Sequence, residues 1–254
     1  MSYIDLERGE LMTGLEAAGK RFTALLRSLA PGDEIKPCEG LIWNVGDVAV
    51  HVLTVVRRSL GDRRRTSSPA ELAQLNALGL NEIPERDPHK IAELIDADMD
   101  IIIHRVYPKV ADDRRFPFHS GTTIGARQAL AITLGEFTLH GWDIAHACGK
   151  EWVIDPHIAA LAWRGFLDPL HAWLKKDAAA DLSESYLFEL EGEEGRTRLC
   201  LTDGTLHIEY NVNRSDDDFV IRIHPVDLLF VFPYGRRPAA DAALARLAAL
   251  FETI

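Results

Sequence analysis

The sequence predicts an α+β protein: a helical N-terminal part over residues 1–180, then a smaller part of antiparallel strands and helices over 181–254. Two observations predict this. Apolar residues recur at three- and four-residue steps as far as about residue 175, the period of amphipathic helices. After residue 185 the period becomes two, around the hairpin signal Asp203-Gly204. An acidic, alanine-rich stretch, 176–184, separates the two regimes.

Each element has its own punctuation. Residues 4–30 read as a first helix, with Ile4, Leu11, Leu15, Ala18, Phe22, Leu25, Leu26 and Leu29 on one face. Pro31-Gly32 stops it. A second helix covers 43–60, with Asn44 as N-cap, Asp47 in the capping-box position and Gly61 at its end. Residues 61–87 are rich in Arg, Ser and Pro and read as a long loop with room for one short helix. A third helix spans 88–107, closed by Pro108, and 111–124 is loop. A fourth helix runs over 125–147 to a stop at Gly149, and a fifth covers 157–175. Strands follow at 185–192, 197–202, 205–210 and 219–223, then helices at 225–231 and 239–251.

Composition excludes some classes of function. Lys plus Arg number 28 against 39 Asp plus Glu, a net charge of −11. That balance argues against nucleic acid as a partner, since a phosphate backbone is held by clustered basic residues. Cys38, Cys148 and Cys200 are far apart and form no Cys-x-x-Cys pair, which speaks against a zinc ribbon or dithiol site. Their sparse, odd count suits a reducing compartment. The N-terminus is charged early, as a signal peptide is not. No stretch approaches the roughly 20 apolar residues of a membrane span. The longest candidate, 126–147, is broken by Arg127, Glu136, His140 and Asp143. A soluble cytoplasmic protein is expected, with no signal of oligomeric state.

The fourth helix carries the chemistry. At 100° per residue His140 lies about 40° from Glu136, and Asp143 about 20° to the other side. Glu136, His140 and Asp143 therefore share one narrow stripe, with Ala129, Ile132, Leu139 and Ala147 beside them. The rest of the helix is also largely apolar, so the stripe is expected to be buried. Three buried ionisable groups are costly unless something binds them, and a divalent cation would do so. On the second helix His51 lies between Val48 and Val55 and should point inward. Two His and one carboxylate leave a coordination position open, the catalytic rather than the structural arrangement. Alone, His51 reads as a hydrogen-bonded core histidine and Glu136/His140 as a helical i,i+4 pair. Together with Asp143 they favour a metal site. The donor set suits zinc first, and also nickel, iron or manganese.

These residues resemble a known family. Trp43-Asn44-Val45-Gly46-Asp47-Val48-Ala49-Val50-His51 and Gly135-Glu136-Phe137-Thr138-Leu139-His140-Gly141-Trp142-Asp143 are similar to motifs of the mycothiol-dependent maleylpyruvate isomerases. The segment from Pro225 to Pro238 is similar to the family's C-terminal motif, with Tyr234 where the family has Trp, and with an unusual Pro233. The resemblance implies a DinB-like up-down four-helix bundle, then a sterol-carrier-like α+β domain. It implies a metal held by His51, Glu136 and His140, with Asp143 as a further acidic residue of the site. It implies mycothiol as the thiol and an electrophilic small molecule as substrate. The reaction would be a cis–trans isomerisation or an S-transfer. A non-catalytic metal-stabilised module and a DinB-type enzyme without mycothiol are the alternatives.

Other residues take secondary roles. Asp143 could orient a ligand or move a proton. Arg236, ahead of Arg237, could hold a substrate carboxylate by a bidentate fork. Arg57, Arg58, Arg63, Arg64 and Arg65 read as a solvated helix end favoured by the helix dipole, with an anion contact as the sharper reading. His119, in the loop before the fourth helix, reads as a surface residue, with a place in the pocket lining as the alternative. The C-terminal part is expected to cap the bundle and complete its pocket.

Overall fold

A computed structural model describes residues 6–252. The expected helix start at Ile4 and the reading of the extreme N-terminus fall partly outside that range. Helix α1, Arg8–Arg27, buries Leu11, Leu15, Phe22 and Leu26 on one face. Helix α2, Val45–Ser59, starts on the expected capping box. Asn44 Oδ1 accepts from Asp47 N at 2.8 Å, and the Asp47 carboxylate accepts from Asn44 N. Helix α3, Ala70–Glu82, occupies what reads from sequence as mostly loop. It packs on α2, where Gly79 admits the Thr54 methyl; a Cβ there would stand 3.1 Å from it.

Helix α4, Pro88–Ile101, begins on the Asp87 cap with proline in its first turn. The chain then widens into a π turn, Ile102–Val106, and tightens at Tyr107–Lys109, where one helix to 107 was expected. A short hairpin follows, β1 (Arg115–Pro117) against β2 (Thr123–Gly125), in the expected loop. Helix α5, Ala126–Ala147, is buried along most of its length. Helix α6, Pro156–Leu167, ends before Pro169 instead of reaching 175, because proline cannot continue the ladder.

Helices α1, α2, α4 and α5 form the expected four-helix bundle. Helices α1 and α2 each pack on both α4 and α5. Arg8 donates to Tyr107 and Val110 carbonyls while Thr23 meets Asp96, so α1 and α4 are antiparallel. Arg127 donates to Leu6 O and Arg21 to Val153 O, so α5 runs parallel to α1. Asp47 pairs with Arg86 and Arg57 with Asp98, so α4 runs parallel to α2. The course is up-down-down-up, not a simple alternation. The long 60–87 connection carrying α3 allows two successive bundle helices to run the same way.

A short helix α7, Lys176–Ala179, leads into β3 (Ser183–Leu190), β4 (Arg196–Thr202), β5 (Thr205–Tyr210) and β6 (Asp218–Ile223). The order is β5-β4-β3-β6. Three strands are antiparallel as expected, but β6 lies parallel to β3. The connection 211–217 is pinned by Arg198, which donates to Asn213 O and to both oxygens of Asp218. Helices α8 (Pro225–Val231) and α9 (Ala242–Ala249) close the chain. Helix α6 joins the two regions. Its Leu161 belongs to the bundle core, while Trp163 and Leu167 pack with Tyr186, Phe188 and Leu199 of the sheet. Among the described residues no helix is long and apolar enough to cross a membrane.

Candidate metal centre

Helix geometry brings the expected residues together. Glu136, His140 and Asp143 lie one turn apart along α5, and α2 faces them with His51. All four are buried. His51 Nε2 lies 3.2 Å from Glu136 Oε2, and His140 Nε2 lies 3.3 Å from the same oxygen. One donor atom from each of His51, Glu136 and His140 falls within 4.8 Å of the other two. Bonds of about 2.0–2.1 Å to a tetrahedral ion put neighbouring donors roughly 3.3 Å apart. The spacing of this donor set therefore fits a divalent cation.

Asp143 stands behind His140. Its Oδ2 is 2.9 Å from His140 Nδ1, which turns Nε2 toward the other donors. Burial opposes a charge on His140, but the bonds to Asp143 and Glu136 outweigh it and raise its pKa to about 9. Burial likewise opposes a charge on Glu136, yet the two histidines hold its carboxyl well below the usual range. His51 goes the other way: burial lowers its pKa to about 4, against the bond to Glu136. The Trp43 ring covers His51, with ring centroids 4.7 Å apart. Buried atoms His51 Nδ1, Asp143 Oδ1 and Arg236 Nε have no partner among the described residues. A cation at the triad would add positive charge beside two carboxylates held out of water.

One contact was not readable beforehand. The Tyr234 hydroxyl donates to Glu136 Oε1 at 3.1 Å. It reaches that oxygen because residue 135 is glycine; a Cβ there would stand 3.1 Å from both Tyr234 Oη and Ala162 Cβ. The signal in the sequence was Tyr234 itself, a phenol where the resembling family carries an indole. Burial and the Glu136 charge hold the phenol in its neutral, donating form.

The triad opens on a cavity of about 240 Å³. Its wall includes Phe116 and Phe118 of the hairpin segment, Trp173, Tyr234 and Arg236, so the C-terminal region does complete it. Asp143 is not in that wall. Arg236 turns Nη2 toward Asp143 Oδ2 at 3.7 Å and Nη1 toward Tyr234 O. Arg237 lies apart, over the Phe230 ring at 4.0 Å and beside Asp227. None of the three cysteines lines the cavity. Burial pushes the Cys38 thiol up to about 12.

Two expectations change here. His119 takes the pocket-lining place and not the surface one, because the hairpin folds it under Thr66. Arg58 and Arg65 are half-buried in the same wall, whereas Arg63 and Arg64 are exposed as expected. The turn after α2 folds Arg65 inward against the hairpin, where it donates to Pro117 O.

The family model of the mycothiol maleylpyruvate isomerase N-terminal domain matches residues 15–145. The chain belongs to this family. Its fold is similar to the crystal structure of the mycothiol-dependent maleylpyruvate isomerase, at 13% identity and a TM-score of 0.51, covering 92% of each chain. It is equally similar to a histidine-to-alanine mutant of that isomerase, at 12% identity, TM-score 0.51 and 92% of each chain. No curated protein matches the chain. Within the segment matching the mycothiol maleylpyruvate isomerase family lie His51, Glu136, His140 and Asp143, while Tyr234 and Arg236 lie outside it.

Proposed function

We propose that this chain is a metal-dependent cytoplasmic enzyme that uses mycothiol to attack an electrophilic small molecule, as a cis–trans isomerase or an S-transferase. The convergence of His51 Nε2, Glu136 Oε2 and His140 Nε2 on the wall of a cavity carries this reading. Zinc is the metal proposed, since two imidazoles and one carboxylate with an open position suit it. The 1–180 bundle domain supplies the ligands, and the 181–254 domain supplies Tyr234 and Arg236.

When bound, such a metal holds a thiol beside it as the thiolate, the nucleophilic form. The rest is work for the chain. Asp143 is a positioning residue: its bond to His140 Nδ1 leaves Nε2 as the lone-pair donor. Tyr234 fixes Glu136 Oε1 and leaves Oε2 facing the histidines. Arg236 offsets the buried Asp143 charge from the cavity wall, where a substrate carboxylate can also reach it. The aromatic part of the wall, with Trp43, Phe116, Phe118 and Trp173, gives an electrophile's apolar body a surface to pack against.

Titration of the zinc-loaded protein with mycothiol tests the reading. Mycothiol should raise the thermal midpoint, and turnover of maleylpyruvate or another activated alkene should require it. A midpoint indifferent to mycothiol, with no mycothiol-dependent turnover, would leave a metal site without this thiol chemistry.

A further inference from the structure

The cavity wall has a second polar patch besides the triad. Arg58 and Arg65 both line it, with His119 of the hairpin turn beside them. On α2, Arg58 follows His51 by seven residues, two turns along the same face and roughly 10 Å further down the axis. The two guanidinium groups are held by neutral acceptors. Arg58 donates to Asn76 Oδ1 at 2.9 Å. Arg65 donates to the carbonyls of Pro117, Asp62 and Arg64. Among the described residues no carboxylate lies within ion-pair distance of either, while Arg57, Arg64 and Arg86 nearby are all paired. Asp62, the nearby acid, is taken by Arg64.

His119 adds a neutral donor. Thr66 N donates to its Nδ1 at 3.4 Å, which places the ring proton on Nε2. Burial, then the charges of Arg58 and Arg65, push its pKa down to about 3, so the ring stays uncharged beside them. Two like charges sit in a partly desolvated wall with no carboxylate in ion-pair contact, Glu136 and Asp62 acting on them only from a distance, so an incoming anion stabilises them. The same cavity wall carries Leu72, Val106, Phe116, Phe118 and Ile124, an apolar surface for the body of a ligand. Arg236, at the triad end, is already turned to Asp143.

We infer that Arg58, Arg65 and His119 form a subsite for the single anionic group of an electrophile with an apolar or aromatic body, a carboxylate being the fitting group. The inference rests on the triad being the reaction centre. The two arginines then anchor the substrate within the triad's cavity, and the apolar wall aligns its reactive carbon with the thiol. A small dianion with no apolar body, such as fumarate, would have nothing to lay against that wall.

Equilibrium binding to the full chain tests this without turnover. Benzoate, phenylacetate and trans-cinnamate are compared with their neutral amides and with fumarate by calorimetry. At least one aryl carboxylate should bind about tenfold or more tightly than its amide and than fumarate. Arg58→Gln should remove that preference and leave amide binding unchanged, as should Arg65→Gln, while Arg237→Gln should do neither. The unchanged amide affinity shows that a variant is folded. Equal affinity of acid and amide, or a preference that survives both Arg58→Gln and Arg65→Gln, overturns the inference. Metal content is read on the same samples. A wild-type chain that prefers the acids but takes up no metal removes the proposed function and leaves an anion site. One that takes up metal but shows no preference removes only the anion site.

Discussion

Tyr234 and Glu136 are 98 positions apart in the chain, yet the phenol donates to the carboxylate at 3.1 Å inside the protein. This bond ties the C-terminal region to the oxygen opposite the one that faces His51 and His140. The carboxylate is thus held from behind as well as engaged from the front. Partners of this kind tune a metal site without touching the metal.

Tyr234→Phe keeps the ring and removes the donor. The fold should persist, since the ring still packs on Phe166 at 5.1 Å. Metal affinity should fall about tenfold, measured by competition with a chelator. An unchanged affinity would mean that Tyr234 only packs.

Metal uptake should depend on pH with a definite sign. His140 must lose the Nε2 proton to act as a ligand. Burial opposes that proton, but Asp143 and Glu136 keep it on, so the metal-free ring titrates at about 9. Apparent affinity should rise as pH increases from about 6 towards 9, with proton release on binding. In Asp143→Asn the ring loses a charge partner, so the rise should move to lower pH. Calorimetry in buffers of different ionisation enthalpy counts the protons; a flat profile would contradict the ligand role of His140.

A second histidine links the two regions at the surface. His157 of α6 meets Glu193 at Nδ1, 2.8 Å, and Glu10 of α1 at Nε2, 2.7 Å. The bond to Glu193, then that to Glu10, raises its pKa against the opposing effect of burial. A raised folded-state pKa stabilises fully below the unfolded value of about 6.5, and this is lost as pH climbs through the folded value. His157→Gln should therefore lower the thermal midpoint near pH 6 and have a smaller effect in alkali. A pH-independent difference between the two proteins would reject the ionic link.

Close packing behind the site is tested at Gly141. A Cβ there would lie 2.1 Å from the Trp152 ring. That ring cannot retreat easily, with Nε1 bonded to Thr138 O and Arg21 stacked 3.8 Å from its centre. Gly141→Ala should cost about 1–3 kcal/mol and lower the thermal midpoint by roughly 3–10 °C. A midpoint within a degree of wild type would show that the ring shifts freely.

What could be read from the sequence was what local periodicity encodes. Glu136, His140 and Asp143 share a stripe because a helix repeats every 3.6 residues, and the Asn44/Asp47 cap is set by spacing alone. The reach of Tyr234 to Glu136 needs the C-terminal region folded back on α5, which no window of sequence contains. Arg65 reads as solvated because its neighbours are polar, and His119 because it stands in a loop, although Phe116-Pro117-Phe118 precede it. A short hairpin between two expected helices buries them. Helix α3 was hidden by its weak apolar face, of which only Gly79 and Leu80 are buried. The parallel β6 was invisible because alternation marks a strand but not its direction.

If His51, Glu136 and His140 together hold a divalent metal, the metal should stay with the protein. Elemental analysis of the purified chain, after zinc loading and exhaustive dialysis, measures this. About one equivalent is expected in the wild type, with large losses in His51→Ala and Glu136→Ala variants whose circular dichroism remains helical. Well under one equivalent in the wild type, or equal retention in both variants, would contradict it.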